Sequence, residues 1–253
     1  MPMLSVNLNK VALLRNARAA SSPSVVQAAM LCLQAGAGGI TVHPRPDQRH
    51  ARSDDVRDLA ALIANAPGRE LNVEGNPFPE FIELVRQTRP TQCTLVPDAP
   101  EALTSDRGWD LGTDADRLRP VIRELKDLGI RVSLFMEPDA AQIERAAGIG
   151  ADRIELYTEP YARACGTARE QEQLRCFARA AAHARRAGLG VNAGHDLSLA
   201  NLGRFCDAVP QLLEVSIGQA LVASAFDLGL RGAVKAYLEV LSGRQEPTAP
   251  TMM

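Results

Sequence analysis

The sequence is poor in aromatic residues, paired cysteines and long apolar runs. Aromatic side chains make up 4% of its 253 residues. The five cysteines are odd in number, scattered and without a CxxC pair, so we expect reduced thiols in a cytoplasmic protein. No apolar run reaches the length of a membrane span, and the N-terminus shows no signal-peptide pattern. We therefore expect no membrane association.

The sequence also lacks an excess of charge of one sign. It has 28 Lys and Arg against 30 Asp and Glu, a formal net charge of -2 and a pI near 6.1. Nucleic-acid-binding domains usually carry a basic face, so we expect no nucleic-acid partner. The hydrophobic share of 46% is ordinary for a globular protein and is sufficient for one large core.

Eight short apolar runs alternate with longer helical patterns, which is typical of parallel βα units. The runs are Leu4–Leu8, Gly39–His43, Leu71–Glu74, Gln92–Val96, Arg131–Met136, Arg153–Tyr157, Gly190–Ala193 and Leu213–Ile217. This count predicts the α/β class and a single (β/α)8 TIM barrel over residues 1–243, followed by a flexible tail at 244–253. The stretch Thr158–Ala187 is too long for one unit and predicts an extra helix.

Proline, glycine and acidic residues mark the predicted helices and loops. Ser22-Pro23 predicts the cap and first turn of a helix that ends at Leu33. Helices are also predicted from Pro79, over Asp114–Leu128 and over Asp139–Ala147. The segment Asp98–Thr113 predicts a long loop, and loops of that length in compact domains are usually functional, often as lids.

Three of the four histidines follow predicted strands. His43 and His50 share one segment, and His195 follows Val191-Asn192-Ala193-Gly194. TIM barrels hold their catalytic groups at the C-terminal ends of strands, and histidine titrates nearest neutral pH. We therefore predict proton-transfer roles for His43 and His195. His183 lies in a helical pattern and is predicted to have no role.

Two glutamates are placed to face the mouth of the barrel. A buried carboxylate is costly unless it is paired or protonated. Glu74 is either catalytic or the partner of Arg45 in a structural ion pair. Glu155 is either catalytic or part of an interior ion-pair layer with Arg131 and Arg153. The residues alone leave both alternatives open.

Several segments offer groups that bind anions. Arg45, Arg49, His50 and Arg52 suit a phosphate or a carboxylate, with a solvated arginine face as the alternative. Ile217-Gly218-Gln219-Ala220 predicts a strand-to-helix turn at a place where TIM barrels often bind phosphate through backbone amides.

The segment after the first predicted strand also contains arginines, Arg15 and Arg18. Leu14–Arg18 is predicted to form part of the first loop and to offer further anion donors.

A zinc site of His43, His50, His195 and Glu74 is the alternative interpretation of these histidines. The spacing of His43 and His50 is unusual for a zinc site, and the nearby arginines would repel a cation, so we expect no metal.

A set of motifs occurs in order over nearly the whole chain. They are Val6–Ala12, Leu14–Arg18, Gly39–Arg45, Arg49-His50, Asn72–Glu74, Thr94–Pro97, Ile154–Thr158, Asn192–His195 and Ile217-Gly218. Together they resemble the pyridoxine 5′-phosphate synthase family, the ring-closing enzymes of one vitamin B6 pathway. Each motif alone is weak, but the combination is highly specific.

The resemblance implies a TIM barrel with added helices and a condensation of two small phosphorylated substrates. These are 3-amino-2-oxopropyl phosphate and 1-deoxy-D-xylulose 5-phosphate, and the products are pyridoxine 5′-phosphate, phosphate and water. The amine that forms the Schiff base belongs to the substrate, so the resemblance implies neither a cofactor nor an enzyme lysine. It also implies a homo-octamer built as a tetramer of dimers.

The resemblance further implies a role for each matching residue. His43 and Glu74 match general bases, His195 the general acid, and Glu155 a group that stabilises the transition state. Contacts to the amino-ketone phosphate match Asn7, Arg18, Asp196, Gly218 and Gln219. Contacts to the deoxyxylulose phosphate match Asn9, Lys10, Arg45, His50 and Thr104.

The sequence departs from the family pattern at substrate contacts. Many members carry Asp-His where this chain has Asn9-Lys10, and Gly-His where it has Gly218-Gln219. Glycine often follows the acid histidine, where this chain has Asp196. An ionised aspartate has no side-chain proton to donate to phosphate, so we expect contact through its backbone amide. The four proposed proton-transfer residues are retained, so we expect the same reaction with altered substrate contacts.

Two other functions stay open at this level. One is a phosphosugar aldolase that uses Lys10 as a Schiff-base amine. The other is a non-catalytic paralogue that binds a phosphorylated ligand, which Asn9 and Gln219 motivate. The retained histidines and glutamates argue against the second, because a sensor has no need of a proton-transfer set.

Overall fold

Eight parallel strands close into a barrel in the computed structural model, which describes residues 1–18, 21–99 and 105–243. Each strand pairs with the next along the chain, and the last pairs with the first, with Leu4 opposite Val215. The strands are β1 Met3–Asn7, β2 Gly39–Val42, β3 Glu70–Gly75, β4 Gln92–Leu95, β5 Arg131–Met136, β6 Arg153–Tyr157, β7 Gly190–Gly194 and β8 Glu214–Ile217. The predicted TIM barrel is confirmed, and every strand end lies within one residue of its prediction.

Helices surround this barrel and connect its strands. They are α1 Asn9–Asn16, α2 Val25–Ala35, α3 Ser53–Ala64, α4 Pro79–Thr88, α5 Ala115–Asp127, α6 Ala140–Gly148, α7 Glu159–Ala164, α8 Glu170–Arg186, α9 Leu202–Ala208 and α10 Gln219–Leu241. The predicted extra helix is confirmed, because α7 and α8 both lie between β6 and β7. The described part of the chain contains no helix that is long and apolar enough to cross a bilayer.

Two local predictions near the N-terminus are wrong. Leu14, Arg15 and Asn16 belong to helix α1 and not to a loop. Arg15 donates to both carboxylate oxygens of buried Asp55 on α3, so it is not a free anion donor. Helix α2 is capped by Ser24, whose side chain accepts the backbone N–H of Gln27 at 3.2 Å, and it therefore begins after Pro23.

The strands place apolar side chains against the helices and polar side chains inside the barrel. In β1, Leu4 and Val6 belong to the core, whereas the hydroxyl of Ser5 lies 2.6 Å from that of Thr41. Across the interior, Thr94 donates to Asn72 Oδ1 at 3.0 Å. TIM barrels more often fill this space with branched aliphatic residues. A glutamate carboxyl inside this barrel therefore has polar side chains as neighbours and little access to water.

An ion-pair layer crosses the N-terminal half of the barrel. Arg131 pairs with Glu70, and Arg153 Nη1 lies 3.6 Å from Glu214 Oε2. The layer that the sequence analysis considered therefore exists, but its acids are Glu70 and Glu214. Glu155 lies nearer the opposite, C-terminal end and has no part in it.

The loop after β4 is described in two parts. Residues 96–99 begin it, residues 105–114 end it, and Thr104 lies outside the described residues. Trp109 anchors the second part, because its buried indole N–H donates to the backbone oxygen of Leu95 at 2.8 Å. The predicted tail at 244–253 also lies outside the described residues.

Candidate active site

A cavity of about 540 Å³ opens at the C-terminal ends of the strands. The C-terminal ends of the strands and the first turns of α1 and α10 contribute to its wall. Of the residues predicted to act here, the cavity is lined by Asn7, Asn9, Lys10, His43, Arg45, His50, Glu74, Glu155, His195, Asp196, Gly218 and Gln219. Arg18 is exposed beyond the end of α1 and does not line this cavity. Thr104 lies outside the described residues.

His43 is held directly after β2 by its own backbone. Its N–H donates to Asn9 Oδ1 at 2.8 Å, and the Asn9 N–H donates to Asn7 Oδ1 at 3.0 Å. Burial lowers the pKa of His43 well below its ordinary value, and the positive charges of Arg45 and His50 lower it further. The imidazole is therefore neutral near neutral pH and can accept a proton.

Arg45 pairs with Asp98 and not with Glu74. Its guanidinium bonds the Asp98 carboxylate, which also accepts from the Ser105 hydroxyl at 2.8 Å. The same carboxylate lies 4.0 Å from His43 Nε2. The structural ion pair considered for Glu74 is therefore wrong. It is replaced by a buried Arg45–Asp98 pair at the cavity edge.

The carboxyls of Glu74 and Glu155 are both buried inside the barrel, and the pKa of each is raised. Burial raises the pKa of Glu74 to about 8, with Glu214 and Asp98 contributing to the rise. Burial also raises the pKa of Glu155 well above its ordinary value, and Glu74 is the next largest cause. Ionising two buried carboxyls in the same barrel interior is energetically costly, so both Glu74 and Glu155 keep their protons at neutral pH.

The Glu155 carboxyl is seated against the backbone of β7. Gly194 lies beside it, and a Cβ on that glycine would overlap Glu155 Oε1. Within the described residues, Glu155 Oε2 is buried without a hydrogen-bond partner. A buried polar atom without a partner is costly, so it marks a position where a ligand atom can bind.

His195 follows β7 in a strained backbone conformation. Its φ of 74° lies in the left-handed region, which non-glycine residues seldom adopt. Its Nδ1 lies 2.8 Å from Asp196 Oδ2, and its ring meets the Tyr157 ring edge-on with 5.3 Å between centroids. The hydrogen bond from His195 lowers the pKa of Asp196, so that carboxylate is ionised.

The cationic side of the cavity is less exposed than the sequence analysis allowed. Arg45 and His50 are 5% and 8% exposed, so for them the solvated arginine face is the wrong alternative. Burial lowers the pKa of His50 to about 4, with Arg45 and Lys10 adding to the effect. Within the described residues His50 Nδ1 has no hydrogen-bond partner. A neutral imidazole there can donate one N–H to an anion.

The opposite corner is formed where β8 meets α10. The strand ends at Ile217 and the helix begins at Gln219, as predicted. A Cβ on Gly218 would lie 3.1 Å from Asn7 Cβ, so the backbone of the turn packs closely on β1. The backbone N–H groups at the start of a helix are ordinary anion ligands.

Comparison with known proteins agrees with this geometry. The model of the family described as pyridoxal phosphate biosynthesis protein PdxJ matches residues 4–243. The chain belongs to this family. A pyridoxine 5′-phosphate synthase of Albidiferax ferrireducens is 56% identical over 94% of this chain and 97% of its own length. One from Xanthomonas axonopodis pv. citri is 55% identical over 94% and 96%.

Solved structures with lower identity share the fold of this PdxJ family member. A tryptophan synthase from M. tuberculosis aligns with a TM-score of 0.64 and 12% identity, covering 96% of this chain and 92% of its own. Phosphoribosyl anthranilate isomerase from Thermotoga maritima aligns with a TM-score of 0.60 and 13% identity, covering 96% and 100%. At such identities the likeness shows the barrel fold alone.

Several residues of this PdxJ site were missed by sequence reasoning. These are Val96, Ser105, Asp106, Phe135, Tyr157 and Glu159, whereas the lining residues Ser216 and Ala220 belong to the predicted end of β8 and the turn after it. Tyr157 is the last residue of β6 and Asp98 follows β4 closely, so the strand-end rule could have found both. Ser105 and Asp106 return to the cavity from a long loop, for which the sequence holds no signal.

No group of three or more His, Cys, Asp or Glu side chains within residues 1–18, 21–99 and 105–243 is arranged to hold a metal ion. Around the PdxJ cavity, His43 and His50 lie instead among arginine and lysine side chains.

Proposed function

We propose that this chain is a pyridoxine 5′-phosphate synthase. It condenses 3-amino-2-oxopropyl phosphate with 1-deoxy-D-xylulose 5-phosphate into pyridoxine 5′-phosphate, phosphate and water. The observation that carries this proposal is the meeting of His43, Glu74, Glu155 and His195 at one cavity. Ring closure with loss of water needs protons removed and added next to carbonyl carbons, which is general acid–base work.

The two bases of the proposal are His43 and Glu74. Burial lowers the pKa of His43, so its imidazole is unprotonated at neutral pH and can accept a proton from the substrate. Glu74 holds a proton at neutral pH, since its pKa is raised to about 8, and it becomes a base as it ionises. A pKa near the working pH suits a group that must both take up and release protons.

The acid of the proposal is His195, and Glu155 stabilises charge at the centre of the cavity. Protonated His195 donates to a departing oxygen, and Asp196 compensates the imidazolium charge at 2.8 Å. Protonated Glu155 donates a hydrogen bond to an oxygen or nitrogen on which negative charge develops. Its unpartnered Oε2 supports this role.

Two anion sites would hold the phosphates at either end of the reacting carbons. Asn7, Gly218, Gln219 and the backbone of Asp196 are proposed for the amino-ketone phosphate. Arg18 does not line the cavity of its own chain, so its proposed contact is to the site of a neighbouring copy. Fixed phosphates would orient the reacting atoms. For the deoxyxylulose phosphate the proposed contacts are Asn9, Lys10, Arg45, His50 and Thr104.

The Arg45–Asp98 ion pair lies at the proposed site for the deoxyxylulose phosphate. A phosphate that reaches Arg45 competes with the Asp98 carboxylate for the same guanidinium. Lys10 and the donor nitrogen of His50 line the same cavity and support phosphate binding there.

We further propose that copies of the chain assemble into an octamer as a tetramer of dimers in the cytoplasm. An apolar groove between α1, α2 and α10 supports assembly, with Phe226 81% and Leu14 57% exposed beside it. Surface patches of this kind commonly mark protein interfaces. All five cysteines are free thiols, which supports a reducing compartment. Analytical ultracentrifugation of wild type and Phe226→Glu tests the assembly, and a monomeric wild type would contradict it.

The enzyme proposal is tested by incubating purified protein with both substrates. We expect pyridoxine 5′-phosphate to form, and we expect Glu74→Gln and His195→Asn to lose most of the rate while keeping the circular dichroism spectrum. Borohydride with either substrate separates the aldolase alternative, because a covalent adduct on Lys10 would contradict the proposal. Binding without turnover by well-folded protein would favour the non-catalytic paralogue.

A further inference from the structure

Asp196 places a carboxylate oxygen 2.8 Å from Nδ1 of His195. We infer that Asp196 is a positioning residue, which fixes Nε2 of His195 as the nitrogen that delivers the proton. The inference rests on the proposed role of His195 as the acid. It assigns to the Asp196 side chain a function other than phosphate contact.

One backbone angle and two contacts define the orientation of the His195 ring. The backbone φ of 74° turns the residue off the end of β7. Asp196 Oδ2 lies 2.8 Å from Nδ1, and the Tyr157 ring closes the edge of the imidazole at 5.3 Å between centroids. A side chain held on its backbone, one nitrogen and one edge has little rotational freedom left.

The hydrogen bond also decides the tautomer. An ionised carboxylate only accepts, so the proton between Asp196 and His195 belongs to Nδ1. A free neutral imidazole carries its proton mainly on Nε2 instead. In the donating step the Nε2–H bond breaks, its proton joins the departing substrate oxygen, and neutral His195 remains with Nδ1–H. Asp196 stabilises both the charged form before the step and the tautomer left after it.

Other charged and titratable groups line the cavity with His195 or interact electrostatically with the His195–Asp196 pair. They come from β6, from the loop after β4, and from α7 and α1. They are Glu155, Tyr157, Asp98, Asp106, Glu159 and Lys10. These groups remain in any Asp196 variant, so a change of one residue at position 196 isolates the bond to Nδ1.

A purely structural role predicts a different response from the positioning role. The backbone oxygen of Asp196 accepts from Asn201 Nδ2 at 3.2 Å, and substitution of the side chain leaves that oxygen in place. If Asp196 only maintains the loop, the isosteric Asp196→Asn is tolerated better than Asp196→Gly. If it sets the tautomer, Asp196→Asn is the worse change, because the amide can donate to Nδ1 and favour Nε2–H.

The test combines ¹⁵N NMR of the histidine rings with kinetics. In ligand-free wild type we expect neutral His195 to carry its proton on Nδ1, with the resonance assigned by its absence in His195→Asn. In Asp196→Gly and Asp196→Asn we expect the proton to move mainly to Nε2. We expect kcat to fall about 10- to 100-fold, more in the Asn variant, with KM changing far less. Asp127→Asn, at an exposed position on α5, is the control for loss of one charge and should match wild type.

The NMR result is independent of turnover. An unchanged Nδ1–H tautomer in both variants would overturn the inference, as would an Asn variant that is more active than the Gly variant. If the wild type forms no pyridoxine 5′-phosphate, the proposed function fails. The tautomer measurement still decides whether Asp196 positions His195.

Discussion

The backbone of Gly194 forms the wall against which the Glu155 carboxyl is seated. Glycine is required there by contact and not by backbone conformation, because a Cβ would overlap Glu155 Oε1. Strands β6 and β7 place the two close together, with Tyr157 opposite Gly194 in the register. Because Gly194 has no Cβ, the Glu155 carboxyl can occupy this position in the proposed active site.

Gly194→Ala should displace the Glu155 carboxyl and reduce turnover. A shift of about 1 Å in a reacting group can cost about 100-fold in rate, so we expect a fall in kcat of that order. Steady-state kinetics with both substrates measures it. Gly148→Ala is the control, since a Cβ there would meet nothing within 4 Å. Equal activity of both variants would show that the position of Glu155 does not matter.

Asn9 should act through the backbone of His43. Its Oδ1 accepts the His43 N–H at 2.8 Å, and an aspartate can accept the same bond. We expect Asn9→Asp to keep a kcat close to wild type, whereas Asn9→Ala should lose about 10-fold, the equivalent of one lost hydrogen bond of about 1.4 kcal/mol. An alanine variant as active as the aspartate variant would rule out this support.

Removal of the Asp98 carboxylate should make the protein depend on phosphate. Asp98→Asn leaves the buried guanidinium of Arg45 less compensated, which should cost about 3 kcal/mol of folding free energy. Inorganic phosphate should restore more of the melting temperature in this variant than in wild type, because it no longer competes with a carboxylate. Thermal unfolding with and without phosphate measures both effects.

Glu70→Gln is the matched control for that experiment. It removes the carboxylate that pairs with Arg131 at the other end of the barrel. It should lower the melting temperature without increasing the response to phosphate. An equal phosphate response in the two variants would show that Arg45 is not part of a phosphate site.

Much of this fold could be predicted because local signals repeat around the barrel. Strands β5 and β6 begin and end at the predicted residues, since each is a β-branched or apolar run between a helix-ending glycine and a polar loop. The same strand-end rule located His43, Glu74 and His195. Helix α1 was missed because pairing of Arg15 with Asp55, 40 residues away, stabilises a segment that was expected to be a loop.

The electrostatic pairing inside the site could not be predicted. Arg45 lies near both Glu74 and Asp98 in space, and only side-chain geometry decides that Asp98 is its ion-pair partner. His195, which bonds Asp196, adopts a positive φ that the sequence does not indicate for a non-glycine residue. Such choices depend on distances of a few ångströms between distant segments.

Glu74 should make the protein less stable as pH rises. Its pKa is about 8 in the folded protein, above its ordinary value near 4.5. A raised carboxyl pKa means that the unfolded state loses its proton first, so stability falls between these two pH values. Glu74→Gln should remove part of that decline, raising the melting temperature relative to wild type by about 2–4 °C for each kcal/mol recovered. The exposed Glu239→Gln should not, and an unchanged pH dependence in Glu74→Gln would contradict the assigned burial cost.

We propose that residues of this cavity join two phosphorylated substrates by proton transfer. Phosphorus NMR of purified protein with both substrates follows every phosphate at once. We expect one inorganic phosphate to appear for each pyridoxine 5′-phosphate formed. We expect Glu74→Gln and His195→Asn to slow the appearance of both products equally. Folded wild-type protein that leaves both substrate resonances unchanged, or releases phosphate without forming the ring, would contradict it.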